Sequence, residues 1–156
     1  MKIFEDATGR QWKIALTLGT AMAVRDKLNV DLLQPEAGDP PLLTRLGTDE
    51  MLLGEVLCAL MADQFEANKV SAADVRAGFD GRTLLAAQTA FYEELSDFFR
   101  QRGRTDRAKA VDTQREMIDK AVALATIRIE ALDTDKIISG AMSGSSPEPS
   151  ELTPAP

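Results

Sequence analysis

Carboxylates lie close together at Asp49 with Glu50, at Glu93 with Glu94 and Asp97, and at Asp133 with Asp135. Acid–base catalysis needs two such groups in one cleft, buried enough for their pKa values to part. Neighbouring acids on a helix point to different faces and stay solvated, so none of these is read as catalytic or metal-binding. The chain has no histidine, which removes the commonest general base and metal ligand. Its one cysteine, Cys58, sits in the apolar run Val56-Leu57-Cys58-Ala59-Leu60-Met61 and reads as a small core residue rather than a nucleophile. Arg100, Arg102, Arg104, Arg107 and Lys109 form a local basic cluster offset by Asp106. With no aromatic ladder beside it, the cluster reads as a solvated corner between helices rather than a contact for RNA or an acidic partner. Neither Gly-x-x-x-x-Gly-Lys nor Gly-x-Gly-x-x-Gly occurs. The expectation is a protein that is not an enzyme, with no catalytic residue, no cofactor and no metal.

The balance of charge narrows the partners. The net charge is −7, and residues 1–99 carry 9 basic against 16 acidic side chains while residues 100–156 carry 9 of each. Phosphate repels such an acidic body, so nucleic acid is not expected as a partner. No apolar run reaches the ~20 residues that span a bilayer, and the start Met-Lys-Ile-Phe-Glu-Asp turns polar at once, so neither membrane insertion nor a signal peptide is expected. A lone cysteine suits a reducing cytoplasm.

The elements that would position any site are mostly helical. Aromatics make up only 5% of the chain, a palette that suits helix packing more than a sandwich of sheets. Residues 2–5 and 11–16 read as a β-hairpin about the turn Asp6-Ala7-Thr8-Gly9-Arg10, with Gly9 free to take a positive φ. A lone hairpin is marginal in water, so Trp12 is expected to be a buried structural anchor that pins it to the helices. A helix over about 20–28 carries Ala21, Val24 and Leu28 on its apolar stripe, with Thr17 or Thr20 as its cap. Residues 34–41 are a loop, and Leu42, Leu43 and Leu46 form a short helical turn. Thr48 caps a core helix running to about Asn68, and Ser71-Ala-Ala-Asp74 opens a short helix closing near Gly78. The next helix, about 82–101, presents Leu84, Leu85, Gln88, Phe91, Tyr92, Leu95, Phe98 and Phe99, with four of the chain's eight aromatics. Phe91, Tyr92, Leu95, Phe98 and Phe99 are either core or in part a protein-docking patch. Thr105 caps a last helix to about Leu132, with stripe Val111, Ile118, Val122, Ala125, Ile129 and Leu132. At roughly 40 Å long, it needs an equally long partner, either the 82–101 helix or another subunit in a homo-oligomer. From Ser139 the chain turns to Ser, Gly and Pro. The expected fold class is mainly α with a small N-terminal β-hairpin, a bundle of about four to five helices over 1–138, followed by a disordered tail or linker over 139–156.

Taken in order, these elements resemble a known family. Gly9-Arg10-Gln11-Trp12 in a hairpin is followed by a helix with Val24-Arg25-Asp26 and then Asn29-Val30-Asp31-Leu32-Leu33. After the core helix come Val70-Ser71-Ala72-Ala73-Asp74-Val75, a helix ending Leu95-Ser96-Asp97-Phe98-Phe99, and a Ser/Pro tail. The series is similar to tail assembly chaperone-like proteins of long-tailed bacteriophages and prophages. The resemblance implies a protein that binds and solubilises the tape-measure protein during tail morphogenesis in the cytoplasm of the bacterial host. It also implies recruitment of tail-tube subunits and absence from the finished virion. A second, frameshifted domain would be joined near Ser139. The alternative is a structural or connector component of the tail, which the helical composition disfavours because tube proteins are β-rich.

Overall fold

A computed structural model describes the backbone of residues 1–145 and the side chains of residues 1–132. The chain divides into two compact units, residues 1–116 and residues 117–156. The first unit opens with the hairpin of β1 (Lys2–Glu5) and β2 (Gln11–Ile14), paired antiparallel with Phe4 opposite Trp12. Alternation sends Phe4, Trp12 and Ile14 inward and leaves Ile3 in solvent. The turn closes through Gly9 N–H to Asp6 O (3.0 Å), and Gly9 takes φ 87°, a conformation that favours glycine.

Helix α1 (Leu18–Leu28) starts two residues before the expected 20 because both threonines serve it. Thr17 is the N-cap, accepting from Thr20 N–H, and the Thr20 hydroxyl accepts in return from Thr17 N–H. Asn29 ends the helix in the left-handed conformation. Ala21 and Val24 are buried, and Leu28 is half-buried. Helix α2 (Leu42–Thr48) buries Leu42, Leu43 and Leu46.

Helix α3 (Glu50–Ala67) is capped by Asp49, which accepts from Leu52 N–H, rather than by Thr48. Thr48 is the last residue of α2, and its hydroxyl donates to Thr44 O. Leu53, Val56, Leu57, Ala59, Leu60 and Met61 of α3 are core. Ser71 caps α4 (Ala72–Ala77), and Asp80 caps α5 (Gly81–Gln101).

Helix α6 (Thr105–Ser145) begins in the first unit, where Ala108 and Val111 are buried. It runs past the expected end at Leu132, so residues 139–145, expected in a disordered tail, are helical; residues 146–156 lie outside the described residues. The fold class is as expected: mainly α with an N-terminal hairpin.

Candidate protein-binding surface

The carboxylates that suggested chemistry are absorbed by structure. Asp49 is a cap, Glu93 pairs with Arg115 at 3.1 Å, and Asp97 pairs with Lys2 at 2.9 Å and Arg100 at 3.0 Å. The hydrogen bond from Lys2 is the main cause holding the Asp97 carboxyl below its ordinary range. Glu94 departs from the expectation of a solvated acid. It is buried, accepting from the N-terminal ammonium of Met1 through Oε1 and from Leu16 N–H (2.9 Å) through Oε2. It thereby ties the N-terminal end of β1 and the exit of β2 to α5. The side chains of Asp133 and Asp135 lie outside the described ones. Among the described residues no group of three or more acids, cysteines or histidines could hold a metal ion.

Cys58 is half-buried rather than core, and burial pushes its thiol up, away from the reactive thiolate. The basic cluster is largely neutralised within the first unit. Arg100 reaches Asp97 and Asp112, and Arg104 reaches Asp106. Arg107 binds Glu36 and Leu33 O and lies over the Phe99 ring at 5.9 Å.

The α5 face, read as core or in part a docking patch, is mostly core. Phe91, Tyr92, Leu95 and Phe99 are all buried, and Phe98 is half-buried against Phe99 with ring centroids 5.8 Å apart. The hairpin covers α5, with β1 lying along it, so Phe91, Tyr92, Leu95 and Phe99 present no free face to a partner, while Phe98 keeps part of its ring accessible. Leu85, expected on the same apolar face, points to solvent instead. Trp12 is the anchor expected of it. It is fully buried, edge-on to Phe65 at 5.7 Å, with its indole N–H donating to Asp6 Oδ2 at 2.9 Å.

Open apolar surface in the first unit gathers elsewhere. Leu18, Ala21, Met22 and Arg25 of α1 meet Asp31, Leu33 and Gln34 of the following loop and Arg107 of α6 around an open cleft of about 250 Å³. Leu18 and Met22 sit one turn apart and are 64% and 42% exposed. Arg25 continues that face by a further turn. Arg107 is held at the rim by its bonds to Leu33 O (2.8 Å) and Glu36. Carboxylate chemistry in the cleft is limited to Asp31, whose Oδ1 already accepts from Leu33 N–H. The arrangement suits binding: the lining is mixed, the exposed Leu18 and Met22 offer apolar contact to an aliphatic or aromatic side chain, and Arg25 favours a carboxylate beside them, Arg107 being already paired with Glu36. The sequence reading missed this site. Leu18, Met22 and Arg25 carry a signal in their i, i+4, i+7 spacing, but the wall that makes a cleft comes from residues far along the chain.

The second unit shows exposed apolar surface of another kind. Met117, Val122, Leu124, Ile127, Ile129 and Leu132 of α6 are 54–66% exposed. Among the described residues no helix is long and apolar enough to cross a membrane. No family model, curated protein or solved structure matches the chain.

Proposed function

We propose that the protein is a phage tail assembly chaperone that binds a helical, apolar client, the tape-measure protein, in the cytoplasm of the bacterial host. The observation that carries the reading is the α1 cleft, where the exposed Leu18 and Met22 share a lining with Arg25 and Arg107. A folded body gains nothing in stability by leaving such side chains exposed. An amphipathic client helix that docks an apolar residue there, with acids on its flanks, buries them. The resemblance of the ordered elements to tail assembly chaperones supplies the identity of that client, and the tail-tube subunits as second partners.

The test is co-expression with a phage tape-measure protein. The expected outcome is a several-fold gain in soluble tape-measure protein and its recovery with a tagged copy of this chain. Met22→Glu should abolish both. No gain and no recovery with the unaltered chain would defeat the reading. Mass spectrometry of purified particles should find the protein absent. Stoichiometric amounts would point instead to a structural or connector component of the tail.

A further inference from the structure

Of the two arginines in the lining of the α1 cleft, Arg25 is exposed and Arg107 already has a counter-ion. Arg107 is held three ways. Its Nη1 donates to Leu33 O (2.8 Å), its guanidinium lies over the Phe99 ring at 5.9 Å, and its Nε (2.9 Å) and Nη2 (2.6 Å) both meet Glu36 Oε1. The side chain of Arg107 is 22% exposed and that of Glu36 57%. The cation is therefore fixed by contacts other than the pair, while the acid reaches in from solvent. The backbone around Glu36 is fixed as well, by Ala37 N–H to Gln34 O (3.1 Å) and Leu43 N–H to Pro35 O (3.0 Å). Glu36 can leave Arg107 by rotating about its own side-chain bonds, with the loop unchanged and the guanidinium still in place.

An ion pair this open to water contributes little net stability. A carboxylate delivered with an apolar group that covers Leu18 and Met22 meets the same guanidinium with water excluded, where the attraction is stronger. The exchange replaces a weak contact with a stronger one, and Glu36 is what the incoming acid must displace. The other acid of the lining, Asp31, is committed through Oδ1 to Leu33 N–H. We propose that Glu36 is an internal competitor for Arg107. The cleft takes a carboxylate carried beside an aliphatic group, that carboxylate displaces Glu36, and the charge of Glu36 sets how tightly such a ligand is held. Only the source of the carboxylate, an acid on the client helix, rests on the client reading.

Hexanoate, a carboxylate on an aliphatic chain, is the probe. It is titrated into the full chain and followed by NMR at the Arg107 Nε–H and the Met22 methyl. Glu36→Gln keeps the shape of the side chain and removes its charge. At low salt this variant should bind hexanoate about tenfold more tightly than the parent. The gain should shrink at about 0.5 M salt and vanish when Arg107→Gln is added. Equal affinity of the parent and Glu36→Gln overturns the proposal. So does a gain that survives Arg107→Gln, because the charge of Glu36 then acts at a distance rather than on Arg107. If Arg107→Gln fails to fold, the Nε–H signal decides, since it must shift when hexanoate is added to Glu36→Gln. A solubilised tape-measure protein is titrated against the same chains. If it binds the parent and Glu36→Gln alike while hexanoate shows no gain, the competitor is overturned and the client reading stands. If hexanoate behaves as expected and the tape-measure protein does not bind, the competitor stands and the client reading falls.

Discussion

One carboxylate organises the hairpin. Asp6 Oδ1 accepts from Thr8 N–H (2.9 Å), from the Thr8 hydroxyl (2.6 Å) and from Arg10 N–H (3.0 Å), while Oδ2 accepts from Trp12 Nε1 (2.9 Å). Burial by itself raises the pKa of this group, but the donors together outweigh it and hold the carboxyl below its ordinary 3.8. A depressed pKa contributes stability that is present above the unfolded value and lost as pH falls through the folded one. Asp6→Asn turns one acceptor oxygen into a donor and removes the charge, for an expected loss of about 2–4 kcal/mol. Urea unfolding at pH 7 measures that loss, and the variant should show less further loss than the parent below pH 4. Gly78 belongs to the same arrangement, because a Cβ there would meet Asp6 Oδ2 at 2.9 Å. Tyr92 is the opposite case. Its hydroxyl is buried and, among the described residues, only the Gln88 amide comes near it, outside hydrogen-bond geometry, so burial pushes its pKa up to about 12 against a smaller pull from that amide. Desolvating a polar group without pairing it is costly. Tyr92→Phe should therefore leave stability within about 1 kcal/mol of the parent or raise it. A loss above about 2 kcal/mol on chemical denaturation would show that the hydroxyl is paired after all.

At the scale of elements, two strands alone are marginal, and the hairpin borrows a third edge from a side chain. The Gln64 amide accepts from Lys13 N–H (2.9 Å) and donates to Lys13 O (2.8 Å), so one carboxamide at the end of α3 stands in for a strand's peptide group. Gln64→Leu removes both bonds, with an expected cost of about 1–2 kcal/mol, and hydrogen exchange at the Lys13 amide should quicken ahead of the rest of β2. Much of this layout is legible in the sequence: Gly9 marks the turn, Ser71 the cap of α4, and Asp80-Gly81 the start of α5. Other features depend on packing that no local pattern records. Thr48 and Asp49 are both good caps, and the choice of Asp49 follows from α2 ending at Thr48. The aromatics of α5 reveal a wide apolar face but not that β1 covers it, so the same residues read equally as core or docking patch. Glu94 looks like one solvated acid in an acidic run until the N-terminal ammonium and Leu16 N–H meet it. The cleft requires Leu33 and Arg107, 74 residues apart, to be neighbours.

For the molecule as a whole, the distribution of charge bears on what the cleft can hold. All of the net −7 lies in residues 1–99, yet the lining of the cleft holds Arg25 and Arg107 beside the exposed Leu18 and Met22. Arg25 beside the exposed Leu18 and Met22 favours an acidic segment over a neutral one, a selectivity that hydrophobicity alone lacks. Its two components should therefore separate by experiment. Met22→Glu places a carboxylate beside Leu18 in the cleft and should abolish client binding at any salt. Arg25→Glu spares Leu18 and Met22 and reverses the charge beside them, so binding should weaken by about ten- to a hundredfold at low salt and differ less from the parent at 0.5 M, where the Debye length falls to a few ångströms. Both positions are solvent-exposed, so each variant should unfold within about 0.5 kcal/mol of the parent. Titration of the solubilised client against both variants at two salt concentrations, with unfolding measured in parallel, distinguishes a docking site from a destabilised fold. Equal affinity for the parent and Met22→Glu would move the client to another surface.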